Sequence, residues 1–234
     1  MHEIIVNAGT ITSSPALMFS EEIAISIAAE FIKKWERLGS KSRSGGSWSP
    51  EQAKNLPLNT KLYPFPDGKT YSIGWGTNNK LPSDGTPVTA NLVIDKARAD
   101  KEYQVTIYDK TVPVLDKLIT APLNEVQYAA LISFMYNAGP YALKYNNLDD
   151  IINNGGDVIG ILKRTALKDA RTGKVLNGLI NRRKDEAALY SGQQNALYSY
   201  YLRNATSINY GTVTLLVLGV VAYIYYLKYK KIHL

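Results

Sequence analysis

The stretch LYPFPDGKTYSIGWGTNN, residues 62–79, decides how this sequence is interpreted. Turn-forming residues at 66–68 separate two short strand-like runs, which predicts a β-hairpin. The second run carries Gly74 and Gly76 on either side of Trp75. Because glycine permits close approach of a backbone or a ligand, and tryptophan offers a flat apolar face, this run is typical of a ligand cleft. A tight bend in a small sheet would explain the glycines equally well.

Helical patterns surround the hairpin. Ser20 precedes an amphipathic run over residues 21–38, and Gly39 is predicted to end it. The run LNEVQYAALISFMYNAGP, residues 123–140, begins with capping-box spacing and has a glycine near its end. A further helix is predicted over NGLINRRKDEAALYSG, residues 177–192.

Two other stretches are less regular. The segment 40–61 is rich in Ser, Gly and Pro, which predicts an inserted loop with at most one short helix from Pro50. A helical pattern starts near residue 90 and is predicted to be interrupted at Pro113, because proline removes a backbone donor inside a helix.

Composition limits the chemistry that this chain can carry out. Its 234 residues include no cysteine, and the two histidines are at positions 2 and 233. Thiolate catalysis and cysteine metal sites are therefore excluded, and carboxylates are the expected catalytic groups. The formal charge of +7 suits an anionic polymer or surface, whereas no arginine-rich face or recognisable motif indicates nucleic acid.

The C-terminal region has the pattern of a membrane span. No charged residue occurs from 204 to 227, and the 20 residues 208–227 would span about 30 Å as a helix, the thickness of a bilayer core. Tyrosines at both ends and three lysines beyond them favour a single transmembrane helix over a buried core helix. The N-terminal residues lack the pattern of a signal peptide. The predicted divisions are an extension (1–19), a globular domain (20–204), a transmembrane helix (205–229) and a basic tail (230–234).

Four blocks occur in a particular order, namely FIKKWERL (31–38), LYPFPDGKTYSIGWGT, LNEVQYAALISFMYNAG and GLINRRKDEAALY (178–190). In this order they resemble the phage-type lysozymes, which are endolysin-like muramidases. The resemblance implies that residues 20–204 form an α+β, mainly helical domain of two lobes, with a small β-hairpin lobe and a saccharide cleft between them. It implies no metal and no organic cofactor. Arg182 and Arg183 match a family segment that is expected to be mainly structural.

The same resemblance implies site residues. The family's glutamate at the end of the first helix is the catalytic acid and corresponds to Glu36, while its hairpin aspartate and hydroxyl correspond to Asp67 and Ser72. Thr70 is an alternative to Ser72, and turn chemistry would also explain Asp67. Asp67 follows Glu36 by 31 positions, which is more than the family's short connection. The residues expected to contact the saccharide are Tyr71, Gly74, Trp75 and Asn137.

The resemblance implies a peptidoglycan hydrolase that cleaves the bond between N-acetylmuramic acid and N-acetylglucosamine, and the C-terminal pattern predicts that it is anchored in a membrane. The expected partners are peptidoglycan, a lipid bilayer through residues 208–227, and other virion proteins. The expected location is the membrane of a virion that uses the protein during entry, or alternatively the host inner membrane for an endolysin. Two other hypotheses stay open: a lytic transglycosylase, and a non-enzymatic virion structural or wall-binding protein that retains the lysozyme fold.

Overall fold

A computed structural model describes residues 19–43, 45–169 and 172–192. Within these residues the strands lie between positions 38 and 95, and most of the helices follow them. The strands are β1 (Leu38–Ser42), β2 (Gly45–Trp48), β3 (Lys61–Leu62), β4 (Phe65–Asp67), β5 (Thr70–Ile73), β6 (Thr77–Asn78) and β7 (Ile94–Asp95). The α-helices are α1 (Glu21–Glu36), α2 (Pro50–Lys54), α3 (Lys96–Val105), α4 (Val112–Leu118), α5 (Glu125–Ala138), α6 (Leu148–Asn153), α7 (Val158–Arg164) and α8 (Asn177–Tyr190). This order confirms the α+β, mainly helical class.

Both predicted end segments lie outside the described residues. These are the extension before residue 19, and the transmembrane helix 205–229 with the basic tail 230–234. Across the three described ranges, no helix combines the length and the apolar character needed to cross a membrane.

Helix α1 begins and ends with defined caps. The Ser20 hydroxyl accepts a hydrogen bond from the Ile23 amide over 3.4 Å, which satisfies one free donor of the first turn. Its buried face consists of small and large apolar side chains: Ala24, Ile25, Ile27, Ala28, Phe31 and Ile32. The helix ends at Glu36, earlier than the predicted stop at Gly39, because Arg37 already has φ 49° and turns the chain into β1.

Small antiparallel sheets form the region between α1 and α3. The predicted hairpin is confirmed: β4 pairs with β5, with Phe65 opposite Ser72 and Asp67 opposite Thr70, and β6 adds a third strand. Strand β1 pairs with β2, and the short β3 pairs with β7. The turn between β4 and β5 contains Gly68 at φ 64°, a conformation that glycine adopts without strain.

The prediction of a loop over residues 40–61 was wrong for its first part. Strands β1 and β2 form a hairpin there, although the predicted short helix from Pro50 is confirmed as α2. Gly39 and Gly74 exchange two backbone hydrogen bonds of 3.1 Å, and Ser40 and Tyr63 exchange two of 3.2 Å. The two strands, LGSKS and GGSW, consist mostly of Gly and Ser, so they lack the alternating large apolar residues by which strands are usually recognised.

Helix α5 is the centre of the helical region and packs against α1 and α8. Asn124 and Gln127 form the predicted capping box, and Gly139 ends the helix with φ 100°. The helical pattern predicted from residue 90 begins at α3 and is broken by a π-helical segment, Thr106–Thr111, rather than by Pro113. Pro113 lies in the first turn of α4, directly after this π-helical segment.

Candidate active site

Glu36 is the last residue of α1 and points its carboxylate toward the glycine-rich run after β5. Its side chain is 17% exposed. A Cβ atom at Gly76 would lie 2.8 Å from Glu36 Oε2, and Gly76 has φ 87°. Gly76 therefore has to be glycine for two reasons, the positive φ and the approach of the glutamate.

The other half of the glycine-rich run has a different role. A Cβ atom at Gly74 would lie 2.9 Å from the Cβ of Ala99, so this glycine allows the strand to pack closely on α3. Trp75 is 2% exposed, and its Nε1 donates to Asp100 Oδ1 over 2.7 Å. The expectation that Trp75 presents a face to a ligand was therefore wrong, because the indole packs inside the fold beside Tyr103.

A buried cluster from α5 and α8 holds Glu36 in place. Arg182 Nη1 donates to Glu36 Oε1, and Arg182 Nε donates to Glu186 Oε1 over 3.1 Å. The Ser133 hydroxyl also donates to Glu186 Oε1, over 2.8 Å. Glu186 is fully buried and the Arg182 side chain is 5% exposed. Since one guanidinium bridges two carboxylates, the position of Glu36 is tied to helix α8 as well as to α1.

Burial and charge act on this cluster in opposite directions. Burial lowers the pKa of Arg183 to about 10, although Glu186 lies beside it with 2.9 Å between Arg183 Nε and Glu186 Oε2. Burial alone would also lower the pKa of Arg182, but Glu36 and Glu186 together outweigh burial and raise it. Burial raises the pKa of Glu186, against the effect of both arginines. Two arginines and two glutamates thus balance their charges inside the fold.

The second predicted carboxylate is held more loosely. The Ser72 hydroxyl donates to Asp67 Oδ2 over 2.7 Å, across the hairpin of β4 and β5. Ser72 is 2% exposed, whereas Asp67 is exposed. The Thr70 hydroxyl donates to the backbone carbonyl of Asp67 instead, over 3.0 Å. Of the two predicted hydroxyls, Ser72 is therefore the one that contacts the aspartate side chain.

A cavity of about 680 Å³ lies between the strand region and the helices, and Glu36, Asp67 and Asn137 all line it. Asn137 accepts a hydrogen bond of 2.7 Å from Arg183 Nη2. Among the predicted saccharide contacts, Tyr71, Gly74 and Trp75 do not belong to the lining. Within the described ranges, no three His, Cys, Asp or Glu side chains come close enough together to hold a metal ion.

Several lining residues were not singled out from the sequence. Tyr136 donates from its hydroxyl to the Trp75 carbonyl over 2.8 Å, which fixes the backbone just before Gly76. Burial raises the pKa of Tyr136, and Glu36 adds to the rise while Arg182 opposes it. Tyr145 is 52% exposed at the cavity, a suitable surface for the apolar face of a sugar ring. Spacing gives no signal for these residues because separate helices and loops carry them.

A helix-end glutamate that contacts a glycine-rich hairpin, and that lines one cavity together with an aspartate of that hairpin, defines a lysozyme-like domain. The chain belongs to the phage lysozyme family: the sequence model described as "Phage lysozyme" matches residues 57–186, more than half of the chain. Glu36 precedes the matched range, so its assignment depends on the resemblance of its own block and on its position in the fold.

Related proteins agree with this family. The chain is 33% identical over 134 residues to an endolysin of Bacillus phage B103, covering 57% of this chain and 48% of that protein. It is 32% identical over 142 residues to an endolysin of Bacillus phage PZA, covering 57% of this chain and 49% of that one. The matches therefore span about half the length of these relatives. An endolysin structure from Escherichia coli O157:H7 phage FAHEc1 superposes with a TM-score of 0.51 at 22% identity, covering 76% of this chain and 96% of that one, which shows a shared fold.

Proposed function

We propose that this chain is a muramidase that hydrolyses the bond between N-acetylmuramic acid and N-acetylglucosamine in peptidoglycan. The observation that carries the proposal is the position of Glu36, which Arg182 and Gly76 fix at the wall of a cavity that Asp67 also lines. Membership of the phage lysozyme family and the similarity to endolysins support the same function.

The two carboxylates would divide the reaction between them. Glu36, in its protonated form, would donate a proton to the glycosidic oxygen as the bond to the sugar breaks, and Arg182 would stabilise the carboxylate that remains. Asp67, oriented by the Ser72 hydroxyl, would position water or stabilise the positive charge that develops on the sugar ring. The cavity volume of about 680 Å³ leaves room for part of a glycan strand.

Digestion of purified peptidoglycan tests this function. The full chain is compared with Glu36→Gln and Asp67→Asn, and the released sugars are identified by mass spectrometry. We expect reducing muropeptides from the wild type and a loss of at least about a hundredfold in Glu36→Gln. Asp67→Asn is a useful companion because the exposed Asp67 can change without disturbing the buried cluster. Anhydro sugars would instead identify a lytic transglycosylase, and wall binding without release would identify a non-enzymatic protein.

We also propose that the protein is anchored in a membrane, either that of a virion that enters a cell or the inner membrane of a host. The support is the sequence of residues 208–227, which is apolar, flanked by tyrosines and followed by lysines. Flotation of the full chain with lipid vesicles, beside a chain lacking residues 205–234, tests the anchor. Equal flotation of both chains, or of neither, would contradict it. Immunodetection in purified, detergent-stripped virions would then separate the two locations.

A further inference from the structure

A second cavity, of about 320 Å³, lies next to Glu36 and has walls of its own. Besides Glu36, its lining consists of Arg37, Gly39, Ser40, Gly46, Ser47 and Phe65. Among the described residues, Glu36 is the only one that also lines the larger cavity. A ligand that reaches Glu36 from the larger cavity therefore meets the second cavity immediately beside the glutamate.

The hairpin of β1 and β2 supplies most of this wall. The four backbone hydrogen bonds of Gly39 and Ser40 to Gly74 and Tyr63 attach it to the strand region. A Cβ atom at Gly39 would lie 2.9 Å from Phe65 Cε1, so the aromatic ring packs directly on the hairpin backbone. The hairpin precedes residue 57, where the match to the family begins, and it therefore lies outside the matched segment.

Arg37 has an unusual backbone conformation for its residue type. Its φ of 49° and ψ of 147° belong to a region that glycine adopts freely and that other residues enter at a cost. Glycine would be the less strained residue at this helix end. The presence of arginine, directly after Glu36 and in the lining of the second cavity, therefore points to a role for its side chain.

The Arg37 side chain is also available for a ligand. The residue is exposed and makes no hydrogen bond or ion pair with any described residue, and its charge interacts only at longer range with the exposed carboxylate of Glu51. The two other cations of the hairpin have partners: Lys41 lies over the Trp48 ring, and Arg43 donates to the Ala90 carbonyl over 3.0 Å. Among the residues that line the second cavity, Glu36 and Arg37 carry ionisable side chains, and the rest are glycines, serines and Phe65. A guanidinium whose N–H groups have no hydrogen-bond partner among the described residues suits a carboxylate, which the planar fork binds with two hydrogen bonds.

We propose that Arg37 and the second cavity bind a carboxylate of the peptide that muramic acid carries, and so favour peptide-bearing glycan over neutral glycan. This inference rests on the proposed muramidase function. The peptide branches from the same sugar whose glycosidic bond Glu36 would protonate. When that bond lies at Glu36, the branch has to leave the ring close to the glutamate, where the second cavity opens.

Two matched substrates test the proposal. They are tetrasaccharides of alternating N-acetylglucosamine and N-acetylmuramic acid that carry either L-Ala-D-Glu or the same dipeptide with both carboxylates amidated. The measured quantity is the ratio of kcat/KM for the acidic to the amidated substrate, with the full chain. We expect Arg37→Gly to lower this ratio about five- to tenfold and Arg37→Lys to lower it less, because lysine keeps the charge without the fork.

The controls separate a site from general surface charge. Lys41→Gln removes a charge of the same sign from the same hairpin and should leave the ratio unchanged. Arg37→Gly should keep or increase the melting temperature, because glycine relieves the backbone strain. An unchanged ratio in Arg37→Gly, or an equal fall in Lys41→Gln, would overturn the proposal. Polyglycerol phosphate is a further probe. If it inhibits the wild type but not Arg37→Gly, the cavity binds phosphate polymers instead of the peptide carboxylate.

Binding measurements keep this test independent of catalysis. Calorimetry with Glu36→Gln and with the double variant Glu36→Gln/Arg37→Gly uses the same two tetrasaccharides. If the wild type cleaves neither substrate, the muramidase proposal fails. The proposed carboxylate site would still be supported if Glu36→Gln binds the acidic tetrasaccharide more tightly than the amidated one and the double variant binds both equally. Equal binding of both substrates by Glu36→Gln would contradict it.

Discussion

Glu36 and Asp67 line the same cavity, but the fold holds them in opposite ways. Glu36 ends a helix and belongs to a buried cluster with Arg182, which in turn contacts Glu186. Asp67 is an exposed residue of a short hairpin, and its side chain accepts one hydroxyl, from Ser72. One carboxylate is thus fixed by the helical core, and the other keeps freedom to adjust to a substrate or a water molecule.

This difference indicates where the site is sensitive to change. A substitution near Glu36 disturbs the buried charges of Arg182 and Glu186, so stability and activity should fall together. A substitution near Asp67 leaves solvent in place of the lost partner, so activity should fall with little loss of stability.

The largest effect is expected for Arg182→Met. Removing this cation leaves Glu36 without its ion-pair partner. It also leaves the fully buried Glu186 with one arginine partner in place of two. We expect the free energy of unfolding to fall by about 3 kcal/mol and peptidoglycan hydrolysis to be lost. Urea denaturation followed by circular dichroism measures the free energy of unfolding, and release of muropeptides measures hydrolysis.

Lys34→Met is the matched control for Arg182→Met. Lys34 and Asp185 join the same two helices, with 2.9 Å between Nζ and Oδ2, but their side chains are 49% and 32% exposed. This pair should contribute less than about 1 kcal/mol because water screens it. Similar losses in the two variants would contradict the distinction between the buried and the exposed side of the α1–α8 contact.

The second prediction separates the two glycines of the hairpin run. Gly76→Ala places a methyl group 2.8 Å from Glu36 Oε2, so the carboxylate has to move. We expect a loss of activity of about a hundredfold, since a displacement of about 1 Å at a reacting group has effects of that size. The measurement is kcat/KM on peptidoglycan at a temperature where the variant remains folded.

Gly74→Ala supplies the comparison. Its methyl group would lie 2.9 Å from the Cβ of Ala99 on α3, away from the cavity. The free energy of unfolding should fall by about 2 kcal/mol through overpacking and the positive φ, while the activity per folded molecule is retained. Equal activity losses in Gly74→Ala and Gly76→Ala would mean that the run acts as one unit, and that the close approach of Glu36 to Gly76 has no special role.

Local signals in the sequence predicted the parts of the fold that local interactions determine. Ser20 and the pair Asn124 and Gln127 are helix caps whose partners lie three residues away, so spacing alone identifies them. The turn at Asp67 and Gly68 is equally local. Family resemblance, rather than spacing, indicated the position of Glu36.

Contacts between distant residues account for what the sequence did not indicate. Arg182 reaches Glu36 across 146 positions, and no pattern within α8 distinguishes this contact from a structural ion pair with Glu186. The β1–β2 hairpin is attached to Gly74 and Tyr63 by backbone hydrogen bonds, and such bonds leave no trace in side-chain periodicity. In the sequence, Trp75 is compatible with a ligand-binding side chain and with a core side chain. Its packing against Tyr103 in the structure identifies it as a core residue.

The smallest effect is expected for Ser72→Ala, on the looser side of the site. The variant removes the one hydroxyl that contacts the Asp67 carboxylate, at 2.7 Å, and leaves solvent free to replace it. We expect kcat to fall about tenfold, KM to change little, and the free energy of unfolding to fall by about 1 kcal/mol. Ser72→Thr retains the hydroxyl and should recover most of the lost kcat, whereas Thr70→Ala, which removes a hydroxyl bound only to the backbone, should leave kcat close to that of the wild type. If Ser72→Ala instead lost as much activity and stability as Arg182→Met, Asp67 would be held as rigidly as Glu36, and the contrast between a fixed acid and an adjustable carboxylate would fail.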